Sequence, residues 1–190
     1  MTIGLYFGSF NPVHHGHLII AKHLLHHTQL QQIWLVVSPH NPLKQSSSLL
    51  DEYQRLHLVN LAIDGETQLK SSNIEFQLPR PSFTIDTLTY LSEKYPNHEF
   101  AVIMGSDSLL NINNWKNPDQ LMSRYPIYVY ERPGFHVEHV PASTIQVLTN
   151  APMLEISSTY IRQMIKQKKS IRYLVPDKVA DEITLNNYYK

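Results

Sequence analysis

The feature that most restricts the fold is an alternation: short apolar runs recur along the chain, and most are separated by a longer stretch with helical spacing. Ile3 to Phe7 is the first run, and it ends in Gly8, Ser9 and Asn11-Pro12, residues that make turns. Leu18 to Leu25 then puts Leu18, Ala21, Leu24 and Leu25 at helical spacing. Ile33 to Val37 reads as a buried strand, closed by Ser38-Pro39 and a Pro/Asn/Ser-rich loop to Ser48. Leu50 to Ile63 reads as helix, with Gly65 shortly after its end, and Ile74 to Phe76 as a weaker strand. Ser82 is expected to cap a helix through about Tyr95, with Pro96 as the stop. Phe100–Met104, Ile127–Tyr130 and Thr144–Leu148 complete the strands. Ser157 or Ser158 then caps a long helix through about Lys169, and a shorter one spans Asp177 to Leu185. Strands alternating with helices of this length predict βαβ units: an α/β fold with a doubly wound parallel sheet of about five to six strands and helices on both faces. A small helical portion from about residue 157 to 190 closes the chain. With 190 residues and neither internal repeat nor dividing linker, a single domain over residues 1–190 is expected.

Composition removes several classes of function. Sixteen Lys+Arg balance sixteen Asp+Glu, so the basic footprint of a general nucleic-acid binder is missing. The absence of cysteine excludes disulfides, thiolate metal sites and cysteine nucleophiles. No apolar run approaches the roughly 20 residues of a membrane helix, and Met1 to Phe7 has no basic flank of a signal peptide. The expectation is a soluble, cytoplasmic chain that binds neither nucleic acid nor membrane. Homo-oligomerisation is left open.

In a doubly wound sheet, ligands lie beyond the carboxyl ends of the strands. The first such end is Gly8 to Leu18. Gly8 and Gly16 allow a close approach of backbone, and the helix that follows offers N–H groups to an anion. His14 and His17, three apart, share a face of its first turn and suit phosphate oxygens. A histidine pair alone would read as solvated, as do His23, His26 and His27; strand end, glycines and helix start together favour a ligand. A metal pair is disfavoured because no acidic third ligand is near. The second segment is Ile156 to Arg162. Hydroxyls at a helix start ordinarily cap it, but Arg162 lies four residues after Ser158 and three after Thr159. Hydroxyl, N–H and guanidinium then form a fork for phosphate, while Ile161 and Ile165 face the core.

Gly8 to His17 resembles the (H/T)-x-G-H signature of the nucleotidylyltransferase superfamily, and Ile156-Ser-Ser-Thr-Tyr-Ile-Arg162 its I-S-S-T-x-I-R partner. Both, in this order and in a chain of this length, resemble the bacterial nicotinate-nucleotide adenylyltransferase family. Pro39 to Lys44, Phe83 to Leu88, Gly105 to Leu109, Trp115, Arg132-Pro-Gly134 and Tyr173 to Pro176 match further family segments. Phe7, Ser9 and Asn11 depart from the commoner start, and Ser106 replaces an alanine, a change expected to matter little. The resemblance implies a Rossmann-like sheet and transfer of the adenylyl group from ATP to nicotinate mononucleotide. It further implies His14, His17 and Arg162 on the ATP phosphates, helped by Ser157, Ser158 and Thr159, with Mg²⁺ carried mainly by those phosphates. Gly8, Ser9, Phe10 and Gly16 would lie along ATP, Gly105 and Asp107 near a ribose, and Lys44 near a phosphate. Thr84 and Trp115 would hold the pyridine ring. On spacing alone, Asp107 remains equally a helix cap and Trp115 a surface plug. Related adenylyltransferases acting on nicotinamide mononucleotide or phosphopantetheine, and a binding module without catalysis, stay open as alternatives.

Overall fold

The computed structural model describes residues 1–39, 49–152 and 154–190. Its strands are β1 (Thr2–Gly8), β2 (Gln32–Val37), β3 (Leu69–Ser72), β4 (Glu99–Gly105), β5 (Ile127–Tyr130) and β6 (Ile145–Leu148). They form one sheet in the order β3-β2-β1-β4-β5-β6, every pair parallel. The helices are α1 (His15–His27), α2 (Glu52–Ala62), α3 (Thr84–Lys94), α4 (Ser106–Leu109), α5 (Pro118–Arg124), α6 (Ser158–Lys166) and α7 (Asp177–Leu185). This is the doubly wound order, and its reversal lies between β1 and β4. Gly8 and Gly105 end those two strands, so the crevice opens beside both glycine segments.

The core lies on both faces. Tyr6, Leu24, Leu35, Val37, Leu58, Ile161 and Val179 pack on one side of the sheet. Ile3, Leu5, Val36, Leu88, Val102, Leu121 and Val129 pack on the other. Burial on two faces explains why the central strands read as continuous apolar runs rather than alternating ones.

Two expectations need correction. Ile74 to Phe76 is not strand: β3 is Leu69–Ser72, and Ile74–Gln77 is a 3₁₀ turn beyond it. β3 is an edge strand with one partner, β2, so only Leu69 of its four residues is buried and its polar side escapes a hydrophobic search. Ile74 is buried, but against the cluster that holds α3. Nor does Ser82 cap α3. Phe83 is the cap residue, and the Ser82 hydroxyl instead favours the charged form of the Glu75 carboxylate. The α6 cap is as expected: Ser157 Oγ accepts the Tyr160 N–H at 3.1 Å.

Within α6, Ile161 alone is fully buried, while Ile165 packs partly against the same cluster. Ile161 is therefore the main apolar anchor of this helix. Ile161→Ala should lower unfolding free energy in urea by about 2–5 kcal/mol. A loss below about 1 kcal/mol would show that α6 is held by its polar contacts instead.

Candidate functional site

The turn after β1 is organised by its own aromatic residue. Phe10 has φ 44° and folds its ring back over Gly8, where a Cβ would stand 2.9 Å from the ring. The ring is buried against Tyr6 and against His17, at 5.9 and 5.0 Å between centroids. Phe10 is thus a floor beneath His17, and only its backbone is placed to meet a ligand. Ser9, by contrast, is exposed.

His14 is the cap residue of α1 and His17 lies in its first turn, with ring centroids 3.7 Å apart. His17 Nδ1 accepts the His14 backbone N–H at 3.2 Å. An imidazole nitrogen that accepts cannot carry the proton, so neutral His17 holds its hydrogen on Nε2 as a donor. Among the described residues His14 Nδ1, which is buried, has no hydrogen-bond partner. Gly16 lies under the His14 ring, which a Cβ would approach to 3.0 Å. The His15 N–H is taken by the Leu174 carbonyl at 3.0 Å, so part of this helix start serves the fold.

Both imidazoles are disposed to stay neutral. Burial pushes His14 down to about 4, aided by the positive charges of Arg132 and His15. Burial, then His14 and Arg132, holds His17 well below the ordinary histidine range.

Two distant segments meet here as expected. Arg162 Nη1 donates to the Asn11 carbonyl at 2.8 Å, and its Nη2 to Thr159 Oγ1 at 3.3 Å. Ser158 Oγ donates to the Pro12 carbonyl at 2.8 Å, across 146 residues of sequence. These contacts aim the guanidinium at the first turn while using only some of its five N–H groups.

Across the crevice, Asp107 does not cap α4, whose cap residue is Gly105. Its carboxylate pairs with Arg132 Nη1 at 3.0 Å. A Cβ on Gly105 would stand 2.5 Å from Asp107 Oδ1 and 2.8 Å from Arg132 Cδ, so glycine leaves room for the pair. Ser106 matters more than expected, because its buried hydroxyl accepts the Arg132 N–H at 2.9 Å. Arg132 is the site cation that sequence reasoning left without a role. The Arg-Pro-Gly turn after a strand was visible, but its reach toward two histidines was not.

Thr84 begins α3, and Trp115 follows the 3₁₀ turn Ile112–Asn114; both are half-buried. Lys116 ties the two regions, pairing with Asp86 at 2.7 Å and standing 5.0 Å from the Phe83 ring centre. Lys44 lies outside the described residues. Among the described residues, no group of three or more His, Asp or Glu could hold a metal ion, and no helix is long and apolar enough to cross a membrane.

Residues 5–164 match the family described as cytidylyltransferase-like. A protein of Flavobacterium johnsoniae, curated as a probable nicotinate-nucleotide adenylyltransferase, is 51% identical with full coverage of both chains. One of Cytophaga hutchinsonii with the same name is 49% identical over 100% of this chain and 98% of its own. The solved Plasmodium falciparum nicotinic acid mononucleotide adenylyltransferase, complexed with NaAD, superposes with TM-score 0.81 at 21% identity. It covers 99% of this chain and 97% of its own, and it establishes the likeness of fold.

The buried histidines give stability a pH dependence. An unfolded His titrates near 6.5, whereas folded His14 titrates at about 4. Between these values the unfolded chain binds a proton that the folded chain refuses, so stability falls as pH falls, by about 1.4 kcal/mol per unit for one such group. Denaturation at pH 6.5, 5.5 and 4.5 should show a slope to which His14 and His17 both contribute, and His14→Gln should reduce it by about the share of one group. An equal slope in the variant would place the titration elsewhere.

Proposed function

The chain belongs to the nicotinate-nucleotide adenylyltransferase family, and on that premise we propose that it transfers the adenylyl group of ATP to nicotinate mononucleotide, giving nicotinate adenine dinucleotide and pyrophosphate. The observation that carries this reading is the meeting of the two phosphate segments: His14 and His17 at the start of α1, with Arg162 anchored on the Asn11 carbonyl beside them.

A mononucleotide 5′-phosphate oxygen attacks the α-phosphorus in line. The bond from that phosphorus to the bridging oxygen of the β-phosphate breaks, and pyrophosphate leaves with the electron pair. Phosphoryl chemistry of this kind asks the protein for positioning and charge stabilisation. His17 donates from Nε2 to a phosphate oxygen, and His14, Arg162 and Thr159 complete the phosphate contacts. Ser157 and Ser158 act by holding the start of α6 against the turn. An arriving phosphate raises the histidine pKa values again, which lets positive charge develop where negative charge grows. When bound with ATP, Mg²⁺ would supply further charge neutralisation, and no side chain of this chain is assigned to hold it.

The backbone of Gly8, Ser9, Phe10 and Gly16 lines the ATP path. Gly105 and Asp107 lie on the ribose side, where Arg132 adds a cation. Thr84 and Trp115 hold the pyridine ring, with Lys44 at a phosphate. The chain acts as one catalytic unit over residues 1–190, and ATP as a substrate suits a cytoplasmic enzyme.

His17→Ala tests the assignment. Loss of a donor to developing charge typically lowers kcat by about 10²–10³. Pyrophosphate release from ATP, Mg²⁺ and nicotinate mononucleotide should fall by that factor, with ATP affinity much less changed. His23→Ala, further along α1, should match the parent. Retention of more than about half of kcat by His17→Ala would refute the role.

A further inference from the structure

Arg55 of α2 is fully buried, and among the described residues it has no carboxylate in a salt bridge. Its partners are backbone carbonyls: Ser9 at 2.6 Å, Ser38 at 2.8 Å, Pro39 at 2.9 Å and Leu50 at 2.8 Å. A buried guanidinium is a demanding way to fill space, since its desolvation must be met by well-placed acceptors. What it achieves is to gather the turn after β1, the end of β2 and the entry to α2 around one rigid fork.

The side of the sheet that carries α3 holds a second buried ionisable group, whose pKa burial raises. Glu75, in the 3₁₀ turn after β3, accepts the Thr87 hydroxyl at 3.1 Å, and the hydroxyls of Ser38 and Ser82 favour its charged form. Thr87 is in the first turns of α3, and Ser82 immediately precedes that helix. Ser38 belongs to both groups. Its N–H donates to the Gly8 carbonyl at 2.9 Å, its carbonyl accepts Arg55, and its hydroxyl favours the charged form of Glu75. A continuous polar path therefore runs from the Ser9 carbonyl through Arg55, Ser38 and Glu75 to the start of α3.

The two ends of this path are the two halves of the proposed site. The turn after β1 is the ATP side, and the start of α3, with Thr84, is the mononucleotide side. In-line transfer needs the reacting atoms about 3–3.5 Å apart and aligned, and a misplacement near 1 Å can cost about 10²-fold in rate. We propose that Arg55, Ser38 and Glu75 are positioning residues for the transfer, holding the phosphate turn and the start of α3 at one separation before either substrate arrives. This rests on the adenylyl-transfer reading above.

Ser38→Ala severs the path with the loss of one oxygen, leaving the Arg55 bonds to backbone and the other hydroxyls on Glu75 in place. We expect kcat to fall about ten- to a hundredfold while the Kd for ATP alone stays within about twofold, because each half-site survives and only their relation is loosened. Ser38→Thr, which keeps the hydroxyl, should recover most of the rate. Glu75→Gln should lower kcat comparably, and the double variant should be little worse than either single one, as expected for residues acting as a unit. If Ser38→Ala fails to fold, Glu75→Gln carries the same thresholds. An active parent whose variants keep kcat within about twofold, lose ATP affinity in step with rate, or lose rate additively would overturn the positioning role alone. A parent inactive with nicotinate mononucleotide would overturn the reaction and this role with it.

Discussion

The structure depends on how one turn disposes of its carbonyl oxygens. The turn from Gly8 to His14 leaves the sheet at the switch point, and the carbonyls of Ser9, Asn11 and Pro12 take Arg55, Arg162 and Ser158 respectively. Buried carbonyls without partners would each be a penalty, so these contacts are obligatory for the fold as well as useful to the site. They make the position of α6 a consequence of the turn. They also turn the planar peptides so that the N–H groups of Phe10 and Val13 point away from those donors. Leu50 reinforces the arrangement, its N–H donating to Asn11 Oδ1 at 3.1 Å while its carbonyl holds Arg55.

The electrostatics follow from the same packing. Phe10 and the sheet desolvate His17, the turn encloses His14, and Arg132 and Arg162 are left to supply positive charge. Two neutral imidazoles and two permanent cations suit the polyphosphate of the proposed reaction without depending on histidine protonation. An anion bound there would bias the histidines toward protonation. Asp107 moderates Arg132 from the far side, which keeps that guanidinium oriented rather than adrift in solvent.

Much of this was legible because it is local. The apolar runs of β1, β2, β4 and β5 are long enough, and buried enough on both faces, to be read directly. His14, His17 and Arg162 stand within short segments whose spacing already implies a helix start. What escaped depends on tertiary placement. Arg55 looks like an ordinary helix arginine until three chain segments converge on it. Glu75 lies in a stretch whose apolar neighbours suggest a strand, and Arg132 sits in a turn whose direction no spacing rule gives. Ser82 has the residue type of a cap, but its hydroxyl is drawn to Glu75 instead. A buried charge redirects nearby hydroxyls, and one-dimensional capping rules have no means to register that.

The mononucleotide side decides what the enzyme is for. On the proposed reading the pyridine ring lies by the start of α3 at Thr84, and a helix start favours a carboxylate over the amide of nicotinamide, whose NH₂ would meet donors with a donor. The most direct measurement is kcat/KM for pyrophosphate release from ATP and Mg²⁺ with nicotinate mononucleotide, nicotinamide mononucleotide and phosphopantetheine in parallel. The account predicts a preference for nicotinate over nicotinamide mononucleotide of at least about tenfold, corresponding to about 1.4 kcal/mol, and no transfer to phosphopantetheine. Equal values for the two mononucleotides, or a preference for phosphopantetheine, would contradict it.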